Sequence, residues 1–158
     1  MNEILQKEHE TGKIYVRGYD SEGRALMYMR PGRENTHNEE NNMRNLVFNL
    51  EKAIACTGRK SMELGAKLPL EKIKLVIDYD GFKVRNSPPM STSKRTLSIL
   101  QSHYPERMAV SYVCNPPLYF RTFWTLIKPF VDATTKETTT QIHNMECFVF
   151  GKQLAILS

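Results

Sequence analysis

Apolar residues in this chain fall into short blocks separated by turn chemistry. Ile14 to Val16 and Ala25 to Met29 read as two short strands. Asp20-Ser21-Glu22-Gly23 between them reads as a turn, with Gly23 able to take a positive φ. Arg30-Pro31-Gly32 ends the second strand. Thr36 followed by Glu39 has capping-box spacing. Behind it Met43, Leu46, Val47, Leu50 and Ile54 recur at helical intervals, predicting a helix from about His37 to Ala55 with a stop at Thr57-Gly58-Arg59. Residues 59–69 read as a loop with helical propensity. Ile73 to Ile77 is a strand closed by Asp78-Tyr79-Asp80-Gly81, and such an apolar run is expected to be buried on both faces of a parallel sheet.

Asn86-Ser87-Pro88-Pro89 is a connector. Ser91 or Thr92 is the expected cap of a helix carrying Leu97, Leu100 and Tyr104 on one stripe. Met108 to Val113 is the next strand, ending at Asn115-Pro116-Pro117. Phe120, Phe123, Ile127 and Phe130 line a helix after it, and Cys147 to Phe150 has strand character. Strands alternating with helices predict an α/β architecture with a largely parallel sheet.

Composition narrows the class without choosing a function. The 158 residues are 41% hydrophobic and 25% charged, ordinary for a soluble globular domain with a real core. The net charge of +5, from 22 Lys+Arg against 17 Asp+Glu, suits an anionic membrane surface, a phospholipid headgroup or nucleic acid. The 3 cysteines, Cys56, Cys114 and Cys147, have no short metal spacing, and an odd number favours a reducing compartment over a disulfide framework. No apolar run approaches the ~20 residues of a membrane span, and MNEILQKEHE is too charged for a secretory signal. The expectation is a cytoplasmic protein whose membrane contact is peripheral.

Four segments then carry a resemblance in their order and spacing. They are VRGYDSEGRALMYMRPG at 16–32, KLVIDYDGF at 74–82, YPERM at 104–108, and NPP followed by FWTLIKPFVDATT at 115–135. Together they resemble the CRAL-TRIO domain family, the lipid-exchange fold of phosphatidylinositol-transfer proteins. The resemblance implies a sheet flanked by helices around an apolar lipid pocket. It divides the chain into a short amino-terminal segment, 1–13, a lipid-binding domain, 14–138, and an atypical tail, 139–158. The family's closing carboxy-terminal segment is expected to be atypical or missing.

The resemblance also assigns residues. Glu106 and Arg107, in the YPERM turn, and Thr135, in Asp132-Ala133-Thr134-Thr135, are the implied headgroup contacts, because a carboxylate accepts hydrogen bonds from sugar-like hydroxyls. On the residues alone, Glu106 and Arg107 read instead as a solvent-exposed turn pair or as partners in a structural ion pair with a neighbour. Thr138 stands where the family places a phosphate-contacting lysine, so a full charge is replaced by one hydroxyl. Leu75, Ile77, Val113, Phe120, Phe123 and Ile127 are the implied pocket lining. Phosphatidylcholine-binding relatives carry serine and threonine at the places of Ile73 and Leu75, and tyrosines at those of Val16 and Met27. A choline-lipid site of that design is therefore not expected.

Catalysis has little support in the sequence. There is no Gly-rich phosphate loop, HExxH or G-x-S-x-G, and His9, His37, His103 and His143 lack ligand spacing. The expectation is a non-enzymatic protein without cofactor or metal that binds a phospholipid such as phosphatidylinositol, or another hydrophobic ligand, and can move it between membranes. Nucleic acid is not an expected partner. The alternative is a protein-interaction module of the same fold that has lost lipid exchange.

Overall fold

Alternation at Ile14, Val16 and at Ala25, Met27, Met29 builds the first hairpin of the computed structural model, which describes residues 3–36, 38–86, 90–118, 120 and 147–150. Strand β1 (Ile14–Tyr19) pairs antiparallel with β2 (Ala25–Met29). The turn between them works as its residues predict. Gly23 has φ +87, and a Cβ there would stand 2.9 Å from the Ser61 backbone nitrogen, so only glycine fits both the conformation and the approach. Asp20 closes the turn by accepting from the N–H groups of Glu22 and Arg24, at 2.9 and 2.8 Å.

The next two strands are parallel to β2 and to each other: β3 (Ile73–Asp78), then β4 (Met108–Cys114). Strand β5 (Cys147–Phe150) returns antiparallel to β4, so spatial order follows chain order, β1-β2-β3-β4-β5. The parallel pairs are central and the antiparallel pairs are at the edges. Strand β3 does not meet the expectation of burial on both faces. Ile73 and Leu75 are buried while Lys74 and Val76 are only half-buried. Lys74 explains the difference, since its ammonium reaches out to Asp20 at 2.9 Å and must stay near water.

Helix α1 (Glu3–Glu10) was not foreseen, and it packs on α2 (Glu39–Glu63). Helix α2 begins at a different cap from the one expected. Asn38, not Thr36, accepts the Asn41 N–H, and Thr36 is engaged instead by Lys13, Glu8 and Glu34. It also runs through the expected stop at Thr57-Gly58-Arg59. Thr57 is buried and its hydroxyl accepts the Ala25 N–H at 2.9 Å. Tertiary bonds thus hold residues 57–63 helical against a weak local signal. Met43, Leu46, Leu50 and Ala53 bury against Ala25, Met27, Ile73 and Leu75. Val47, placed on the stripe by spacing, is 36% exposed, and Asn45 and Asn49 turn inward in its place. Asn49 donates to the Asn45 carbonyl and side-chain oxygens at 2.8 and 2.9 Å.

Helix α3 (Met90–His103) lies along α2. Thr92 is inside its first turn and donates to Glu39 at 3.0 Å, bridging the helices rather than capping its own. Arg95 binds Glu39 and Glu40, and the Glu39 carboxyl is held below its ordinary value by Arg95 first and Thr92 second. Leu100 and Tyr104 reach the core as expected. The Tyr104 hydroxyl donates to Glu51 at 2.7 Å, and its pKa is pushed up to about 12 by burial first and the Glu51 carboxylate second.

A pH prediction follows. The folded-state pKa of Tyr104 is raised, so its contribution is complete below the ordinary value near 10 and lost as pH climbs toward 12. The loss is on the order of 1 kcal/mol after solvent screening. Thermal melts of wild type should fall more steeply between about pH 10 and 12 than those of Tyr104→Phe. Parallel profiles would remove Tyr104 as the source.

Candidate functional site

Residues that precede parallel neighbours converge at one edge of a sheet. Here Arg24 precedes β2, Glu71 and Lys72 precede β3, and Glu106 and Arg107 precede β4. They meet around a cleft of about 720 Å³, completed by His103 and by the apolar Pro69, Leu70 and Pro105. The Ile73 N–H donates to the Arg107 carbonyl at 2.8 Å and the Arg107 N–H to Tyr104 at 3.3 Å, so the YPERM turn is stitched to both the helix before it and the strand beside it.

Glu106 is the unusual residue of this turn. Its φ is +57, in the left-handed region where side chains other than Gly, Asn and Asp rarely sit. The cost is about 1–2 kcal/mol. Its carboxylate is exposed at the cleft and carries no hydrogen bond or ion pair to another described residue. Arg107 forms the structural ion pair with a neighbour that its residue type allows, its guanidinium binding Glu71, whereas Glu106 stays exposed in the turn.

The positive groups of the cleft differ in freedom. Arg24 is held by Glu22 and Asp20, and its pKa is raised, chiefly by the Glu22 hydrogen bond. Asp20 is opposed by burial, yet bonds from Lys74 and the Arg24 and Glu22 backbone outweigh it and keep the carboxyl below its ordinary value. Lys72 is exposed and has no acidic partner among the described residues. The cleft therefore offers an unpaired carboxylate for hydroxyl groups and the free Lys72 ammonium for an anion, while the guanidiniums of Arg24 and Arg107 are already ion-paired.

The residues expected to line an apolar pocket divide into groups. Ile77, Val113 and Phe120 come together with Tyr79 near the carboxyl ends of β3 and β4, where Tyr79 meets Phe120 edge-on at 5.5 Å. That cluster is about 20 Å along the strands from Arg107. Leu75 instead sits 4% exposed in the main core under α2. Phe123 and Ile127, and the headgroup candidate Thr135, lie outside the described residues. Asp78 closes its turn, accepting from the Asp80 N–H at 3.0 Å and from Asn115 at 2.9 Å, with Arg30 alongside at 3.4 Å.

Of the residues that line this cleft, sequence reasoning singled out Glu106 and Arg107 and passed over Arg24, Glu71, Lys72 and His103. The available signal was topological. Once β2, β3 and β4 are read as parallel neighbours, the residues just before each must share an edge. Val16, Met27, Ile73 and Leu75, the four places where choline-lipid binders carry polar groups, all pack on one apolar cluster.

Known proteins share this sequence and fold. A family model described as CRAL/TRIO domain matches residues 9–154. A CRAL-TRIO domain-containing protein of Schizosaccharomyces pombe is 38% identical over 133 residues, covering 84% of this chain and 12% of that protein. The phosphatidylinositol transfer protein PDR17 of Saccharomyces cerevisiae is 33% identical over 134 residues, covering 82% of this chain and 36% of its own length. The chain thus spans a minor part of both relatives. The crystal structure of Sfh5 superposes with a TM-score of 0.65 at 24% identity, covering 86% of this chain and 49% of that one, which shows a shared fold. Given the family match over most of its length and the fold it shares with Sfh5, this chain belongs to the CRAL/TRIO domain family.

Proposed function

We propose that this domain binds a phospholipid with an inositol-type headgroup and passes it between membranes without catalysing a reaction. The observation that carries the reading is Glu106, held at φ +57 with a free carboxylate at the mouth of a cleft. A strained residue with an unused acceptor is a better candidate for ligand contact than for structure, since no hydrogen bond or ion pair among the described residues uses its side chain. Family membership and the name of PDR17, a phosphatidylinositol transfer protein, support the ligand class. The packing of Val16, Met27, Ile73 and Leu75 disfavours a choline headgroup there.

In this reading Glu106 accepts from ring hydroxyls while Arg107 and Lys72 face the phosphodiester. Thr135 is a further headgroup contact, and Ile77, Val113, Phe120, Phe123 and Ile127 line the path of the acyl chains. Leu75 supports the floor from beneath. Transfer needs the cleft to open at a bilayer, because acyl chains cannot cross water cheaply. The protein works in the cytosol and touches membranes peripherally.

Glu106→Ala keeps the backbone and removes the acceptor. Loss of a charged hydrogen-bonding partner is worth about 1.5–3 kcal/mol, so inositol-lipid affinity should fall about ten- to hundredfold. Glu106→Gly should show the same binding loss with stability unchanged or raised by up to about 1 kcal/mol, because glycine relieves the positive φ. The measurement is transfer of labelled phosphatidylinositol between vesicles, with urea unfolding alongside. Full transfer by either variant would refute the headgroup role.

A further inference from the structure

The edge of the sheet that carries the cleft also displays apolar side chains that the fold leaves uncovered. Met62, Leu64 and Leu68 are 47%, 55% and 77% exposed. Single exposed apolar residues are unremarkable, but these three fall close together, on the last turn of α2 and in the loop that follows it. Tyr19, 41% exposed, stands beside them, with the Lys60 ammonium 6.0 Å from its ring centre. The turn that follows Tyr19 packs Gly23 directly on the Ser61 backbone, so both segments share one surface.

This loop is fixed in shape. Helix α2 is capped at Leu64, whose N–H donates to the Lys60 carbonyl at 3.1 Å; Gly65 follows with φ +88, and the Ala66 N–H donates to the Ser61 carbonyl at 3.0 Å. The Ser61 hydroxyl donates to Gly58 at 3.0 Å and accepts the Leu70 N–H at 2.9 Å. One buried serine thus ties both ends of the loop and holds the leucines outward. Display costs little ordering entropy on binding, since the loop is already ordered. Lys67, within it, and Lys72, just after it, are exposed and have no acidic partner among the described residues. The whole chain is basic, at +5.

We propose that residues 62–70, together with Tyr19, form the edge by which this domain docks on an anionic bilayer. Leu64 and Leu68 enter the interfacial layer, Tyr19 lies at headgroup level, and Lys67 and Lys72 meet lipid phosphates. A bilayer fits better than a protein partner. The apolar groups are flanked by Lys67 and Lys72, which have no acidic partner among the described residues, so the surface pairs apolar with cationic groups as an anionic interface requires. The inference rests on the lipid-exchange reading for its purpose: Pro69, Leu70 and Lys72 belong to both loop and cleft, so docking would set the cleft against the lipid source.

The test uses the full chain in co-sedimentation with vesicles of phosphatidylserine and phosphatidylcholine, beside vesicles of phosphatidylcholine alone. Leu64→Ser/Leu68→Ser should lower partition onto the anionic vesicles about tenfold, and Lys67→Glu should lower it and flatten its salt dependence. Binding of a short-chain, water-soluble phosphatidylinositol should be unchanged in both variants. Unaltered partition in both variants would overturn the docking edge. So would a wild type that self-associates without vesicles and is made monomeric by the serine pair, which would assign the loop to a second copy of this chain. If no form binds the soluble inositol lipid while the loop variants still lose the vesicles, the headgroup reading fails and the docking edge stands.

Discussion

Lys13→Met is expected to destabilise the fold by about 3–5 kcal/mol, the largest effect of any single change considered, because it strands a buried carboxylate. Lys13 and Glu8 form an ion pair whose side chains are only 4% and 3% exposed. Lys13 also binds Glu34 at 3.2 Å and the Thr36 hydroxyl at 2.8 Å, and Thr36 donates to Glu8 at 3.1 Å. One ammonium therefore joins α1, β1 and the loop ahead of α2. Glu34 is 14% exposed and keeps some water after the substitution, but Glu8 does not. For a domain of this size the loss corresponds to a melting temperature lower by on the order of 10 °C. The companion Glu8→Leu/Lys13→Met should recover more than half of the loss, since replacing both charges by apolar groups removes the desolvation cost. Urea unfolding of the three proteins measures it. A single-variant cost below about 1 kcal/mol, as for an exposed pair, would show that Glu8 is hydrated.

Gly32→Ala is expected to cost about 1–3 kcal/mol or more, through contact with backbone that has nowhere to move. A Cβ at Gly32 would lie 2.4 Å from the Asp80 carbonyl oxygen and 2.8 Å from the Phe82 nitrogen. The short 3-10 turn Pro31–Arg33 is thus seated directly on the loop that ends β3. The same loop is held by Arg30, which reaches Asp78 at 3.4 Å and Asp80 at 3.6 Å. Forcing the two segments apart should therefore weaken those pairs as well. Gly81→Ala is the control: it has open space around it but φ +70, so it should cost only the left-handed penalty of about 1–2 kcal/mol. A Gly32→Ala variant that melts at the wild-type temperature would mean that the Gly32 contact relaxes freely.

Much of the scaffold was legible because its signals are local. Gly23 needs a positive φ whatever surrounds it, and the Ile14–Val16 and Ala25–Met29 blocks cannot place their apolar residues on one face except as strands. The same holds for Met43, Leu46 and Leu50 on α2. The site was half legible. Glu106 was marked by the YPERM resemblance, yet its isolation from Arg107 was not, because Arg107 chooses Glu71, which lies far from it in the chain.

What the sequence by itself determined is therefore the strands, the helices α2 and α3, the parallel centre of the sheet and the family, while helix α1 was not legible in it. What only the tertiary structure decided is where elements stop and which charges meet. Helix α2 passes Gly58 because Thr57 and Ser61 find backbone partners at Ala25 and Leu70. Asn38 caps it because Thr36 is already bound to Lys13 and Glu8. The physical reason is one of range. Backbone conformation and periodic burial are set by neighbours a few residues away, which a sequence displays directly. Ion pairs, caps and clefts are settled by competition among groups that only the folded chain brings within a few ångströms, and the winner depends on burial as much as on residue type.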